Sequence, residues 1–256
     1  MKLSIITINY NNADGLQKTI NSVLAQSFTD WEYIIIDGGS TDQSVEVIKT
    51  HQQHIACWVS EKDSGVYNAM NKGIAAAKGE YLLMLNSGDY LINNEVLSQV
   101  FGKPVSADIL YGDTLWDDNG STFETHFPEQ LSFQYFRNNS LGHQTTFIRR
   151  GLHNEVGMYD ESYRIVSDWK FFMQAICKHN VSCQHIPVLI AVCGRDGLSC
   201  KIENWGRVVA EREAILNKEY AMFMPDYERA DTIEQKYDFL NKSLPVRIGR
   251  RIKMLK

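Results

Sequence analysis

The chain has 256 residues, 44% of them hydrophobic, with 5 Pro and 17 Gly, and this composition excludes a disordered or collagen-like protein. Its 5 Cys include no C-x-x-C pair, which excludes a zinc ribbon or a thioredoxin-like redox motif and predicts reduced, packed thiols. The net charge of -5 hides an asymmetry: residues 241–256 carry Lys242, Arg247, Arg250, Arg251, Lys253 and Lys256 and no acid, leaving the remainder at about -11, so general nucleic-acid binding is excluded.

The first apolar run, Leu3–Ile8, follows a single basic residue, Lys2. It is too short for a signal peptide and reads as a strand, Leu3–Asn9. Leu16, Ile20, Val23 and Leu24 then share one helical face, with Asp14 as the expected cap. Tyr33–Ile36 reads as a buried strand, and Ser40 or Thr41 is placed to cap a helix carrying Val45 and Ile48. A strand over Ala56–Ser60, a helix over Val66–Ala77 and a strand over Tyr81–Leu85 follow. Alternation of this kind predicts a parallel sheet with helices on both faces, an α/β fold.

Beyond about residue 105 the pattern loosens. Ile109–Asp113, Thr122–Phe127 and Thr145–Arg149 read as strands, Gln130–Asn139 is weakly patterned, and Asp226–Leu240 reads as a charged helix separated by Pro245 from the basic tail. No linker rich in Gly, Ser or Pro divides the chain, so three stretches of one continuous body are expected: 1–115, 116–225 and 226–256. The apolar run Val188–Cys193 falls far short of the roughly 20 residues a spanning helix needs. A soluble, cytoplasmic protein is predicted, whose basic tail either meets an anionic membrane surface or is a solvated terminus.

In open α/β sheets the ligand lies beyond the carboxyl ends of the strands. The residues there are Asn9-Tyr10-Asn11-Asn12, Asp37-Gly38-Gly39-Ser40-Thr41-Asp42, Glu61-Lys62-Asp63-Ser64-Gly65 and Asn86-Ser87-Gly88-Asp89. Neither G-x-G-x-x-G nor G-x-x-x-x-G-K-[ST] occurs among them, so phosphate must be held in another way. A divalent cation bridging diphosphate oxygens to a carboxylate suits such an acidic edge.

Taken together and in order, Ser4–Asn11, Ile36–Asp42, Ser60–Gly73 and Leu85–Asp89 resemble the motifs of family 2 glycosyltransferases of the GT-A fold. The resemblance is dense over residues 3–115 and continues sparsely to about residue 200 through Gly142-His143-Gln144 and Ser167-Asp168-Trp169. It implies transfer of a sugar, with inversion, from a nucleotide-diphosphate donor, expected to be a UDP-sugar, to a hydroxyl of a glycan or lipid-linked acceptor. Residues 1–115 are then the nucleotide-sugar half and 116–225 the acceptor half.

Each position carries a role under that resemblance and a plainer alternative. Asp37 accepts from the imide of a uracil, or makes an Asx-turn with Gly38-Gly39. Tyr10 stacks on the base, or packs over the sheet. Asp63 lies near the base or ribose, or only forms a turn. Asn71 and Lys72 reach the donor, though an exposed helical lysine is the simpler reading of Lys72. Asp89 falls at the family's acid for Mg²⁺ or Mn²⁺, where Asn86-Ser87-Gly88-Asp89 keeps one carboxylate of the usual pair. Asp168 matches the family's base, or caps a helix. His143 binds the acceptor or a donor phosphate, or assists proton transfer; Asp113 is a second candidate for the base or an acceptor contact. Arg195, in the Cys193–Ser199 loop, meets the diphosphate when that loop closes, or lies in a surface turn. Two other functions compete: a sugar-phosphate nucleotidyltransferase, for which the first loop lacks the required cations, and a non-catalytic nucleotide- or carbohydrate-binding module.

Overall fold

The computed structural model describes residues 1–195 and 197–242. The first strand, β1 (Leu3–Asn9), is buried at every position. A strand with apolar side chains on both faces needs cover on both, and the following elements supply it. Leu16, Ile20 and Val23 of α1 (Ala13–Leu24) and Ile48 of α2 (Ser44–His51) join Leu3 and Ile5 in one core cluster, with Tyr33 and Ile35 of β2 (Trp31–Asp37). On the opposite face lies α3 (Val66–Ala76), which approaches so closely that a Cβ at Gly73 would stand 2.3 Å from Ile6 Cγ2. Glycine at this position is what lets helix and sheet meet.

Parallel pairing joins β3 (Cys57–Ser60) to β2, β2 to β1, and β1 to β4 (Tyr81–Met84). Their carboxyl ends therefore line up, and Asn9 is in register with Asp37, itself in register with Ser60. The sheet then changes character. An antiparallel strand, β8 (Thr146–Arg149), joins β4 to β6 (Ile109–Asp118), and β6 continues through a hairpin into β7 (Ser121–Thr125). The hairpin turns on Asn119-Gly120, both with positive φ (53° and 90°), a two-residue signal the pattern reading did not use. The long β9 (Cys183–Gly194) runs parallel to β6 and also holds the short β5 (Tyr90–Leu91). Among the described residues these nine strands form one sheet in the order β3-β2-β1-β4-β8-β6-β9-β5, with β7 beside β6. The expected α/β architecture is thus present, with antiparallel strands added to a parallel half.

The weakly patterned stretch contains α5 (Phe133–Asn138), and α7 (Ser167–Met173) packs near it, because Trp169 Nε1 donates to Phe136 O at 2.8 Å. Between α3 and α5 lies α4 (Val96–Phe101); a short α6 (Leu152–Glu155) follows β8. Two compact units divide the chain after Val208. The first holds the whole sheet. The second contains α9 (Met224–Lys242), longer at both ends than Asp226–Leu240, while α8 (Trp205–Glu219) spans the division. Of the basic tail, Arg247, Arg250, Arg251, Lys253 and Lys256 lie outside the described residues. No described helix is long and apolar enough to cross a membrane.

Two expected caps are corrected. Asn12, not Asp14, caps α1, its Oδ1 accepting from Gly15 N at 3.1 Å. Neither Ser40 nor Thr41 caps α2: the helix starts at Ser44, whose N–H donates to Asp42 Oδ1 at 2.9 Å, while Ser40 is drawn to Asp37.

Candidate active site

The carboxyl ends of β1, β2 and β3 meet at Asp37, which is 0% exposed. Its Oδ1 accepts from Asn9 Nδ2 at 2.7 Å and from Ser40 Oγ; its Oδ2 accepts from Ser40 N at 2.9 Å and Ser60 Oγ at 2.6 Å. Burial raises the pKa of this carboxyl, but the donors from Ser40, Ser60 and Asn9 outweigh it and hold the group below its ordinary value. As folded, Asp37 ties three strand ends together through these four hydrogen bonds. The exposed surface beside it belongs to Tyr10, 67% exposed, and Asp63. A Cβ on Gly38 would come within 2.6 Å of Asp63 Oδ2 and 3.3 Å of the Tyr10 ring, so the three residues converge. The other oxygen of Asp63 accepts from Gly65 N at 3.0 Å, so the plainer turn-forming role also holds.

Two of the expected donor contacts, Asn71 and Lys72, have protein partners in the structure. The amide of Asn71 is spent on the following half of the chain: Nδ2 donates to Tyr159 O and Glu161 Oε1, both at 2.9 Å, and Oδ1 accepts from Tyr159 N at 3.0 Å. Asn71 therefore fixes the segment leading into α7. Lys72 Nζ pairs with Glu61 Oε1 at 2.7 Å, a half-exposed ion pair.

The turn Asn86–Asp89 closes through Asp89 N donating to Asn86 O at 3.0 Å, with Gly88 at φ +103°, a backbone angle that favours glycine. Thr19 of α1 pins it: Thr19 Oγ1 donates to Asp89 O at 2.7 Å and accepts from Gly88 N at 3.0 Å. The Asp89 carboxylate accepts from Gln144 Nε2 at 3.0 Å and Gly194 N at 3.2 Å.

Asp168 does not cap its helix. It lies in the first turn of α7, where its Oδ1 accepts from Trp169 N and from Tyr67 Oη, each at 2.9 Å. Its Oδ2 lies 3.0 Å from His143 Nδ1. Burial raises the pKa of Asp168, but the contacts with His143, Tyr67 and the backbone prevail and hold it below the usual carboxylate value. Tyr67 shifts the other way: burial first, then the charge of Asp168, keep its phenol protonated far above its ordinary range. The second nitrogen of His143, Nε2, lies 3.0 Å from Asn86 Nδ2.

A single 3-10 turn, His143–Thr145, therefore connects the site. Residue 143 touches Asp168 and residue 144 touches Asp89, so this turn brings together the acid in the turn after β4 and the acid at the start of α7. Asp113 is not part of it. Its buried carboxylate accepts from His126 Nδ1 at 2.7 Å, His185 Nε2 at 2.8 Å and Phe127 N at 3.1 Å, a separate cluster on β6. Arg195 adjoins Gly194, but its guanidinium pairs with Asp118 Oδ2 at 3.3 Å and lies over Phe123, on the β6–β7 hairpin; Asp196 of the same loop is outside the described residues. Pattern reading missed Tyr67, Gln144, Thr19 and Ser60. Gln144 is signalled in the sequence only by adjoining His143, and Tyr67 only by lying in the Ser60–Gly73 motif.

The sequence profile of Glycosyl transferase family 2 matches residues 4–153. The chain belongs to that family. A PGL/p-HBAD biosynthesis glycosyltransferase of Mycobacterium bovis is 30% identical over 194 residues, covering 73% of this chain and 75% of that one. An uncharacterized glycosyltransferase of Mycobacterium tuberculosis is 34% identical over 202 residues, covering 76% and 74%. Among solved structures, S. aureus TarS in complex with UDP-GlcNAc superposes with a TM-score of 0.63 at 21% identity, over 76% of this chain and 58% of that one. A mannosyltransferase from Pyrobaculum calidifontis in complex with GDP-Man and Mn²⁺ gives 0.55 at 14% identity, over 96% and 82%. These structures establish the shared GT-A fold, and this chain spans less than two thirds of the TarS chain it matches. Glycosyltransferase activity follows from family membership, which sets aside the nucleotidyltransferase and the non-catalytic module.

Proposed function

We propose that this glycosyltransferase moves a sugar from a nucleoside-diphosphate donor, a UDP-sugar in the simplest case, to a hydroxyl of a glycan or lipid-linked acceptor, with inversion at the anomeric carbon. The observation that carries the proposal is the His143–Gln144 turn, which holds a proton-accepting pair and a carboxylate suited to a cation within one site. On the donor side, Tyr10 offers an exposed ring to the base and Asp63 a carboxylate to the base or ribose, the two converging beside Gly38. Arg195 reaches the diphosphate by leaving Asp118, an exposed pairing that is weak enough to exchange. The acceptor hydroxyl approaches from the side of His143 and Asp168, opposite the departing diphosphate, as an in-line displacement requires.

The donor set fits a divalent cation carried chiefly by the diphosphate. Among the described residues no three His, Cys, Asp or Glu side chains cluster as metal ligands, and the Asn86–Asp89 turn contributes a single carboxylate. Mg²⁺ and Mn²⁺ accept such an arrangement, with phosphate and water oxygens completing the shell, and Asp89 would hold the ion. When bound, the cation neutralises charge developing on the leaving diphosphate. That one relative bears a name in PGL/p-HBAD biosynthesis and that solved neighbours hold UDP-GlcNAc or GDP-Man supports an activated-sugar donor. The basic C-terminal segment would keep the enzyme at the cytoplasmic membrane face beside such an acceptor.

The test is release of nucleoside diphosphate from UDP-, GDP- and dTDP-sugars, with and without EDTA. The expected outcome is turnover with a UDP-sugar that EDTA abolishes and Mg²⁺ or Mn²⁺ restores. Turnover indifferent to EDTA would remove the cation from the proposal, and retention in the product's anomeric configuration would remove inversion.

A further inference from the structure

Helix α7 carries Asp168 on one face and borders a pocket with the next. Ser167, Lys170 and Phe171, followed by Gln174 just past the helix end, recur at spacings of three and four, so they form one wall. Val156, Met158 and Asp160, from the segment that precedes the helix, form the other. The volume of about 340 Å³ is at the lower end of the roughly 300–1,000 Å³ that small-molecule sites occupy. It suits one small ring and is cramped for a whole nucleotide-sugar.

The walls combine a charge pair with neutral polar groups and apolar surface. Lys170 Nζ lies 2.6 Å from Asp160 Oδ2 and 4.9 Å from the centre of the Tyr163 ring. Burial raises the pKa of Asp160, but Lys170 and Ser162 outweigh it and bring it down to about 2, so the pair is ionised at neutral pH. The two charges offset each other, and the pair favours neither a phosphate nor a cation. A hydroxyl group both donates and accepts, so it can bridge ammonium and carboxylate. Ser167 is 1% exposed, and its Oγ has no hydrogen-bond partner among the described residues. A buried polar atom in that state costs free energy, which a partner entering the pocket would recover. Gln174 adds an amide, and Val156, Met158 and Phe171 supply the apolar remainder. An acyl chain in this pocket would desolvate the charge pair and give nothing in return.

We propose that this pocket binds one neutral sugar ring, a unit of a glycan, at a point separate from the nucleotide-sugar site. Hydroxyls of the ring bridge Asp160 and Lys170 and reach Ser167 and Gln174, while its C–H face rests on Val156 and Met158. The site goes beyond the proposed transfer reaction, because it gives the chain a second carbohydrate contact that takes no part in the chemistry. A glycan held there is retained beside the first turn of α7, which also carries Asp168.

The test uses the full chain labelled with ¹³C-methyl methionine, with the Met158 signal identified by its loss in Met158→Leu. Methyl α-mannoside, methyl α-glucoside, methyl α-rhamnoside and methyl N-acetyl-β-glucosaminide are titrated in turn, with inorganic phosphate and cyclohexanol as the anionic and apolar controls. The Met158 signal is expected to shift saturably, in the millimolar range, with at least one glycoside and with neither control. Excess UDP should leave that shift unchanged. Affinity should fall by about tenfold or more in Val156→Phe, which fills the pocket, and in Asp160→Leu combined with Lys170→Met, which removes both charges together. The absence of a saturable shift with every glycoside overturns the proposal, as does an equal response to phosphate or cyclohexanol. A shift abolished by UDP or by Asp89→Ala places the sugar in the donor site and overturns it as well. Unchanged affinity in Val156→Phe with wild-type melting has the same consequence, and the double variant supplies that test if Val156→Phe melts early.

Discussion

The two ends of the site are built differently. At the donor end, Asp37 finds its partners close in the chain: Ser40 is 3 residues away, Ser60 is 23 and Asn9 is 28. Adjacent parallel strands bring them together as a consequence of sheet register alone. At the chemical end the partners are distant: Tyr67 and Asp168 are separated by 101 residues, Asn86 and His143 by 57, and Asp89 and Gln144 by 55. The proposed donor end is therefore a property of the parallel half, whereas the proposed chemical end forms only when the antiparallel strands and α7 have docked. Substitutions should separate the two.

The largest effect is expected from Asp89→Ala. Loss of the carboxylate should lower kcat per folded molecule by about 10²–10³-fold, the scale for removing one electrostatic contact to a developing charge, with some loss of melting temperature because Gln144 and Gly194 lose an acceptor. Turnover within a few fold of wild type would remove Asp89 from the chemistry. Asp37→Asn should do the reverse. It leaves donors from Asn9, Ser40 and Ser60 facing an amide, costing about 2–3 kcal/mol of stability, seen as a lower denaturation midpoint, with kcat per folded molecule little changed.

Acid should weaken the chemical end. Burial lowers the pKa of His153 to about 4, and its ring stacks on Phe171 of α7 at 4.6 Å. A histidine whose folded pKa is depressed stabilises the fold at pH above its unfolded value of roughly 6.5, and that contribution is lost as pH falls toward its folded value. The loss between neutral pH and about pH 4 is on the order of 3 kcal/mol. His153→Phe should flatten this part of the stability profile; an unaltered profile would place the acid sensitivity elsewhere. The smallest effect is expected from Gly38→Ala, whose Cβ would force Asp63 Oδ2 from 2.6 Å to normal contact. Donor KM should rise several-fold at constant kcat, and an unchanged KM would show that Asp63 does not touch the donor.

Much of this was readable beforehand, though unevenly. Leu3–Asn9, Tyr33–Ile36 and Tyr81–Leu85 betray themselves as strands because buried parallel strands are apolar throughout, and the strand-end residues follow from them. Helix starts were less legible: Ser40 has the chemistry of a cap, but a buried carboxylate three residues earlier competes for it and wins. Asn71 shows the same limit in reverse, since nothing near it in sequence reveals that its amide is needed by Tyr159 and Glu161.

The sequence by itself determined the alternating βα half, the order of the strand-end motifs and the family they belong to, because strand period, turn chemistry and motif spacing are local properties of the chain. Only the tertiary structure decided that Asp37 is an internal tie, that Asp113 belongs to another cluster and that the His143–Gln144 turn joins Asp89 to Asp168. Those outcomes depend on which donors reach a carboxylate first, and that competition is settled among residues far apart in the chain by the packing that brings them into hydrogen-bonding range.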